Sequence, residues 1–445
     1  MSFELTMTIR YARDWSKKAG VRELVQNMLD GHDQGYKMGV SFIKVNGKSY
    51  IAFKNEGLVL DKSVWLLGES NKGSDARGRH GDGLKVGSLV LVREGVDVFF
   101  LSGNERWTPT LVSSETFSGK TVLKIVTRAG SARENDYTAC VAMTPDEWEG
   151  YRQDFLPLSD LDPTTIRKGG YAGNLLLDPR AKGRVFVKGI WVCDKPNLDH
   201  GYDLHDVSLD RDRRIMDTWD IQYQAGKILS HVAQEDAAML AQIFQDLVAD
   251  KADVEHIHYH DGEIKDALAA QFHATYGDKA VAVENAAEAT KVEHYGLKGV
   301  VVPKGLREVV VGVDGTVEHV IKKAMDTCGA YLTDEDLDPA ERKVWRLAKG
   351  ILTLTGLTVD PATTRVYDFR VPNAPLGTFN HGTGEIRINR QILKDGPQAV
   401  VTLAHEIAHR DGRDGTLDHR SAEERILKDV IGTLISLVDT NWIAE

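Results

Sequence analysis

The chain has 445 residues, a formal net charge of -11 and 42% hydrophobic content. That length exceeds one ordinary core and predicts two to four domains, while the acidic balance excludes broad nonspecific nucleic-acid binding, which needs a dominant basic surface. No apolar run reaches a membrane span and the first twenty residues carry charges throughout, so neither a membrane helix nor a signal peptide is expected. Three scattered cysteines, Cys140, Cys193 and Cys328, cannot build a disulfide framework and fit a reducing cytoplasm.

The first patterned segment, residues 22–30, reads RELVQNMLD. On a helix Glu23, Asn27 and Asp30 fall at i, i+4 and i+7 and share one face. A carboxylate and an amide one turn apart suit holding a metal ion and orienting a water. A strand at 50–53 then leads into Asn55-Glu56-Gly57-Leu58-Val59. Residues 61–80 are polar, contain Gly68, Gly73 and Gly78 and lack a sustained period, which marks a loop. Residues 78–85, GRHGDGLK, form a G-x-x-G-x-G run that enters the apolar stretch 84–92. Such a run places backbone N–H groups and a helix N-terminus where a polyphosphate is welcome. Another strand is expected at 118–122, SGKTV.

In this order and spacing, the segments resemble the GHKL ATPases, the superfamily of gyrase B subunits, heat-shock chaperones, MutL and histidine kinases. The resemblance covers the first third of the chain clearly and the next quarter more faintly. It implies an α/β class protein with a GHKL (Bergerat) sandwich over 1–135, binding ATP and Mg2+. By the same resemblance Glu23 is the general base for the attacking water, Asn27 holds the magnesium ion, and Asp30 braces the helix. Gly78, Gly81 and Gly83 let the backbone approach the phosphates, with Lys85 in the same segment and Ser70, Asn71, Lys72 and Arg77 on a lid above. Asn55 and Gly57 stand at the base-binding element, and Thr121 in an altered form of the family's Gly-Thr strand. The sequence departs from the family where Asn55 replaces an Asp and Val59 a second Gly. An Asn carbonyl can accept from an exocyclic amine, but its NH2 adds donors that a carboxylate lacks, so base choice stays open.

Further along, residues 183–192 alternate as one long strand, followed by a loop carrying Leu209-Asp210-Arg211-Asp212-Arg213. This resembles the transducer of the chaperone branch and implies a second domain over 136–250. There Arg211 or Arg213 reaches the terminal phosphate and stabilises its developing charge. A solvated charge cluster is the competing reading. Residues 251–325 alternate helix and strand (263–276, 279–283, 285–295, 299–302), which implies a small α/β layer. Ahead of it, His256, His258 and His260 alternate as on a strand. No carboxylate or Cys completes a metal set there, so a polar strand face is the better reading.

The last segment, 326–445, contains His405-Glu406-Ile407-Ala408-His409. H-E-x-x-H on a helix puts two imidazoles one turn apart, able to share one zinc ion, with the Glu placed to handle its water. Gly412, Asp414 and Gly415 supply a turn, and Thr416 caps a final helix whose apolar stripe runs through Ile426, Val430, Ile431, Leu434 and Leu437. The third ligand is His419 or, as the alternative, Glu423. A strand at 384–389 precedes the zinc helix. This part resembles zincin-type metallopeptidases at the level of the motif, which implies an edge strand there to pair with a substrate peptide and Glu406 as the proton carrier.

Together the segments lead to an ATP-binding, ATP-hydrolysing protein whose nucleotide-driven closure, with dimerisation, controls a zinc peptidase domain acting on a protein substrate or client. Two alternatives stand beside it: a nucleotide-gated, chaperone-like scaffold with a non-catalytic zinc site, and a nucleic-acid remodelling ATPase.

Overall fold

The computed structural model describes residues 1–66, 82–130, 135–207, 218–259, 262–327, 329–369 and 374–442. The chain divides into two compact units, Met1–Met216 and Asp217–Glu445. Its class is mixed α/β. No described helix is long and apolar enough to cross a membrane.

The first unit begins with β1 (Ser2–Thr8), α1 (Lys17–Asp33), β2 (Lys37–Val45), β3 (Lys48–Glu56), α2 (Gly83–Arg93), β4 (Val98–Ser102), β5 (Glu105–Ser114), β6 (Lys120–Ala129) and β7 (Asp136–Ala142). The seven strands form one sheet in the order β1-β6-β5-β4-β7-β3-β2, and every neighbouring pair is antiparallel. Alternation sets the two faces. Ile51, Phe53, Val98, Phe100, Trp107, Ile125, Ala139 and Val141 point to the face covered by α1 and α2, where they join Val21, Leu24, Val25, Met28 and Leu89 in one core. Tyr50, Ala52, Phe99 and Cys140 form a smaller cluster of their own.

Arg93, at the end of α2, donates to the carbonyls of Tyr11, Ala12 and Trp15 at 2.8–3.1 Å. It thereby holds the chain between β1 and α1, where Ala12 takes a positive φ of 48°. A delocalised guanidinium with five donors in a fixed fork suits this task.

The unit continues with α3 (Pro145–Arg152), β8 (Ile166–Lys168), β9 (Gly173–Leu176), β10 (Arg184–Val187), β11 (Ile190–Asp194) and β12 (Gly201–Leu204), the five strands pairing in the order β11-β10-β12-β9-β8. Two sequence expectations change here. The boundary at 135/136 cuts the large sheet, because β7 lies between β3 and β4. The alternating run 183–192 is a hairpin, not one strand: Lys188 and Gly189 turn the chain with φ of 50° and 81°, the two-residue loop that favours positive φ at both positions. Alternation continues through the turn, which hid it.

The second unit opens with α4 (Thr218–Glu235), α5 (Ala237–Val248) and α6 (Gly262–Tyr276), then β13 (Ala280–Val283), α7 (Ala286–Glu293) and β14 (Lys298–Val301), followed by α8 (Lys304–Asp314) and α9 (Val317–Thr327). The pair β13–β14 is parallel, with α7 as its crossover, so the α/β layer read from the sequence is present. Asn285 caps α7 by accepting from the Glu288 N–H. Residues 257–259 are a short 3-10 turn, not a strand; His260 lies outside the described residues. The expected boundary at 250/251 is not a break, since α4 packs on the 252–254 and 257–259 turns.

The remainder comprises β15 (Gly329–Leu332), α10 (Pro339–Leu354), β16 (Thr364–Phe369), β17 (Gly377–Asn380), β18 (Glu385–Asn389), α11 (Gly396–Ala408) and α12 (Leu417–Trp442). The sheet order is β15-β16-β18-β17. Hence the strand expected at the edge, β18, is interior, and the edge belongs to β17. Leu352, Ile386, Ile388, Leu403, Ile407, Ile426 and Val430 share the core beneath α10, α11 and α12. The apolar stripe of α12 is only partly used, because Ile431 and Leu434 are exposed.

Candidate functional sites

In the first unit, α1 buries Glu23 and Asp30 and leaves Asn27 half-buried. Glu23 faces the start of α2: a Cβ added at Gly83 would lie 2.6 Å from Glu23 Oε2. The sequence motif's last glycine is thus needed for close approach to the carboxylate. Arg22 Nε lies 3.5 Å from Glu23 Oε1. Lys85 is fully buried, its Nζ 3.3 Å from Asp82 Oδ1. Because only the Glu23 side chain must move to admit a methyl, Gly83→Ala should fold and yet misplace the carboxylate. An ångström of misplacement costs up to roughly 10²-fold, so if this unit hydrolyses ATP, as proposed below, turnover should fall at least about tenfold with thermal stability little changed. Unaltered turnover in a steady-state assay would remove Glu23 from the chemistry.

Asn55 sits inside β3, opposite Tyr137 of β7. Its Nδ2 donates to the Met28 carbonyl of α1 at 2.9 Å, and a Cβ at Gly31 would strike this amide at 2.8 Å. Asn55 Oδ1 and the Tyr137 hydroxyl are buried and have no hydrogen-bond partner among the described residues. Burial pushes the Tyr137 phenol far above its ordinary pKa, keeping it neutral and able to donate. A buried acceptor beside a buried donor is what an amino-substituted heterocycle needs from a floor. Gly57 follows, its N–H donating to Asp136 Oδ1 at 3.1 Å. Thr121 is not part of this group: it is the second residue of β6, four strands from β3 and so about 19 Å away at ordinary strand spacing. Lys72, Gly78, Gly81, Arg211 and Arg213, with Ser70, Asn71 and Arg77, lie outside the described residues.

In the second unit the zinc motif is brought together. Asp395 caps α11 by accepting from the Gln398 N–H, and the helix carries His405, buried Glu406 and buried His409 at its end. Thr416 Oγ1 accepts from the His419 N–H at 3.3 Å, so the expected cap is made and places His419 in the first turn of α12. The ring centroids of His405, His409 and His419 lie 4.3–5.1 Å apart. His405 Nδ1 donates to Glu423 Oε1 at 3.0 Å and His409 Nδ1 to the Gly412 carbonyl at 3.3 Å. Both bonds leave Nε2 as the free lone pair, the usual outer support of a metal-binding histidine. Glu423 therefore orients His405 and is not placed as a ligand.

The three Nε2 atoms converge on Asp414 Oδ1. His405, His409, Asp414 and His419 offer ligand atoms all within 4.8 Å of one another. His419 Nε2 is buried without a hydrogen-bond partner among the described residues, as is Glu406 Oε2. An orphaned imidazole nitrogen facing two others is the donor set of a borderline-soft divalent ion, so these residues fit zinc. Burial lowers the His409 pKa, which favours the neutral, ligating form. Burial opposes protonation of His405 too, but the Glu423 hydrogen bond and the neighbouring carboxylates hold its pKa above the ordinary value. Burial pushes Glu406 up to about 7, with His405 pulling the other way.

Three neighbours escaped the sequence reading. A Cβ at Gly377 of β17 would lie 2.7 Å from Glu406, so the edge strand runs directly over the carboxylate. His381, just past β17, has its ring 5.8 Å from that of His409. Tyr295, in the segment after α7, has its phenol pKa raised by burial and then by the charge of Glu406. None has a signal in local spacing.

No family model matches the chain, and no curated protein is significantly similar to it.

Proposed function

We propose that the second unit is a zinc-dependent hydrolase acting on peptide bonds, and that the first unit is an ATP-hydrolysing GHKL-type domain that controls it. The observation that carries the first half is the convergence of the His405, His409 and His419 Nε2 atoms beside the orphaned Glu406 carboxylate. Zinc held there supplies Lewis acidity toward a carbonyl and lowers the pKa of bound solvent. Glu406 accepts the solvent proton at its buried Oε2 and returns it to the leaving nitrogen. The outer edge of β17, which no described strand pairs, gives an extended peptide a main chain to hydrogen-bond, with the scissile bond carried past Glu406. His381, whose ring stands 5.8 Å from that of His409, is a polar group placed to meet charge developing on the carbonyl.

For the first unit, support comes from the Glu23 carboxylate pressed against Gly83 and from the buried Asn55 and Tyr137 pair. Asn55 Oδ1 accepts from an adenine amino group, and the Tyr137 hydroxyl donates to an adjacent ring nitrogen. Asn27, one turn beyond Glu23, is the ligand for magnesium on the phosphates.

The test measures metal content and cleavage of an unfolded protein such as casein by the full chain, with and without ATP. One equivalent of zinc and chelator-sensitive cleavage that responds to ATP is expected. Retained zinc with no cleavage in either condition would replace the hydrolase by a scaffold with a structural metal. Cleavage at the same rate in Glu23→Gln and wild type would break the coupling between the units.

A further inference from the structure

Building on the metal-centre reading above, we propose that Asp414 is a fourth protein ligand that closes the zinc site at rest, and that substrate gains the metal only when the Asp414 carboxylate leaves. Asp414 Oδ1 lies 3.3 Å from His405 Nε2, 3.5 Å from His409 Nε2 and 4.0 Å from His419 Nε2. Ligands about 2.0–2.2 Å from a tetrahedral zinc stand about 3.3–3.5 Å from one another. The carboxylate oxygen meets that spacing to His405 and His409 and stands about half an ångström beyond it from His419, which puts it on the fourth side of the set that the imidazoles begin. A catalytic zinc keeps three protein ligands and an open position, whereas four protein ligands make a closed site.

The four ligands are not held alike. His405 and His409 belong to α11, His419 to the capped start of α12, and two of the three imidazoles are buried. Asp414 sits in the turn between the helices, next to Gly415 with φ of 82°, and its side chain is 73% exposed. Among the described residues its ion-pair partners are the three imidazoles alone. Of the other carboxylates nearby, Glu423 is committed to His405 Nδ1 and Glu406 Oε2 lies 3.9 Å from His409 Nε2 alone among the three imidazoles. Releasing Asp414 thus breaks one metal bond and, among the described residues, no ion pair outside the three imidazoles, and returns a carboxylate to water, its cheapest environment. The same ligand adds a negative charge and weakens the pull of the metal on a carbonyl until it departs.

Cobalt(II) substitution reads the coordination without relying on activity. The metal-free full chain is titrated with cobalt(II) for wild type, Asp414→Ala and His409→Ala, and each visible absorption spectrum is recorded before and after adding azide. Wild type should bind one equivalent with a four-coordinate spectrum that azide leaves unchanged. Asp414→Ala should bind at least about tenfold more weakly, by the scale of lost metal-site groups, and its spectrum should shift with azide. A wild-type spectrum that shifts as the variant's does, or equal affinity in the two, overturns the fourth-ligand assignment while leaving the three-histidine centre intact. Failure of wild type to bind cobalt any better than His409→Ala overturns the metal centre itself, and Asp414 with it.

Discussion

Glu23→Gln is expected to lower ATP turnover by about 10²–10⁴-fold, the ordinary worth of a positioned general base, while nucleotide affinity changes little. The substitution keeps the shape of a side chain buried between α1 and the start of α2, so the fold should be preserved. Turnover measured by phosphate release and binding measured by a fluorescent ATP analogue separate the two quantities. A variant that binds and hydrolyses like wild type would leave the nucleotide reading without its chemistry. A variant that no longer binds would make Glu23 a structural neighbour of Gly83.

The second large effect concerns the metal. Structural zinc contributes about 10–16 kcal/mol in small domains, so one of four ligands accounts for about 2.5–4 kcal/mol and its removal weakens binding about 10²–10³-fold. His419→Ala should show that loss. Glu423→Gln, which only loosens the orientation of His405, should lose about 10–100-fold. Competition with a chromophoric chelator gives both numbers on one scale. The opposite ranking would return the third-ligand role to Glu423 and leave the buried His419 nitrogen unexplained.

These two experiments touch residues that local spacing had already singled out. Glu23 and Asn27, His405 and His409, and the cap at Thr416 depend on helical periodicity over a turn or two, which the residue order states directly. His419 followed because a glycine-rich turn and a cap fix where the next helix starts. What surrounds them depends on neighbours set by topology. Tyr137, 82 residues after Asn55, stands beside it only because β7 inserts between β3 and β4. Gly377 covers Glu406 because β17 folds back outside β18, and a short alternating run reveals that it is a strand without revealing what pairs on either side. The hairpin at Lys188-Gly189 was missed for a related reason: alternation through a two-residue turn looks like uninterrupted strand. Asp414 was read as a turn residue, which it is, and the three imidazoles aimed at it become visible only in three dimensions.

The pairing of β1 with β6 sets an order of assembly. Leu5 and Met7 are buried in the main core, and among the described residues β1 has a single neighbour in the sheet, a strand ending at Ala129. At synthesis rates of about 5–20 residues per second, roughly 6–25 s separate the two strands as they emerge. During that interval β1 presents both of its edges and an apolar face to other chains, the situation in which non-local strand pairing is slow and prone to aggregation. Two features shorten the search once β6 exists: Arg93 fastens the carbonyls just beyond β1 to the end of α2, and the Glu4 carboxylate accepts from Ser114 Oγ of β5 at 2.6 Å. Yield of the soluble chain should therefore depend on translation speed and on chaperones that mask the first strand more than on anything in the two candidate sites.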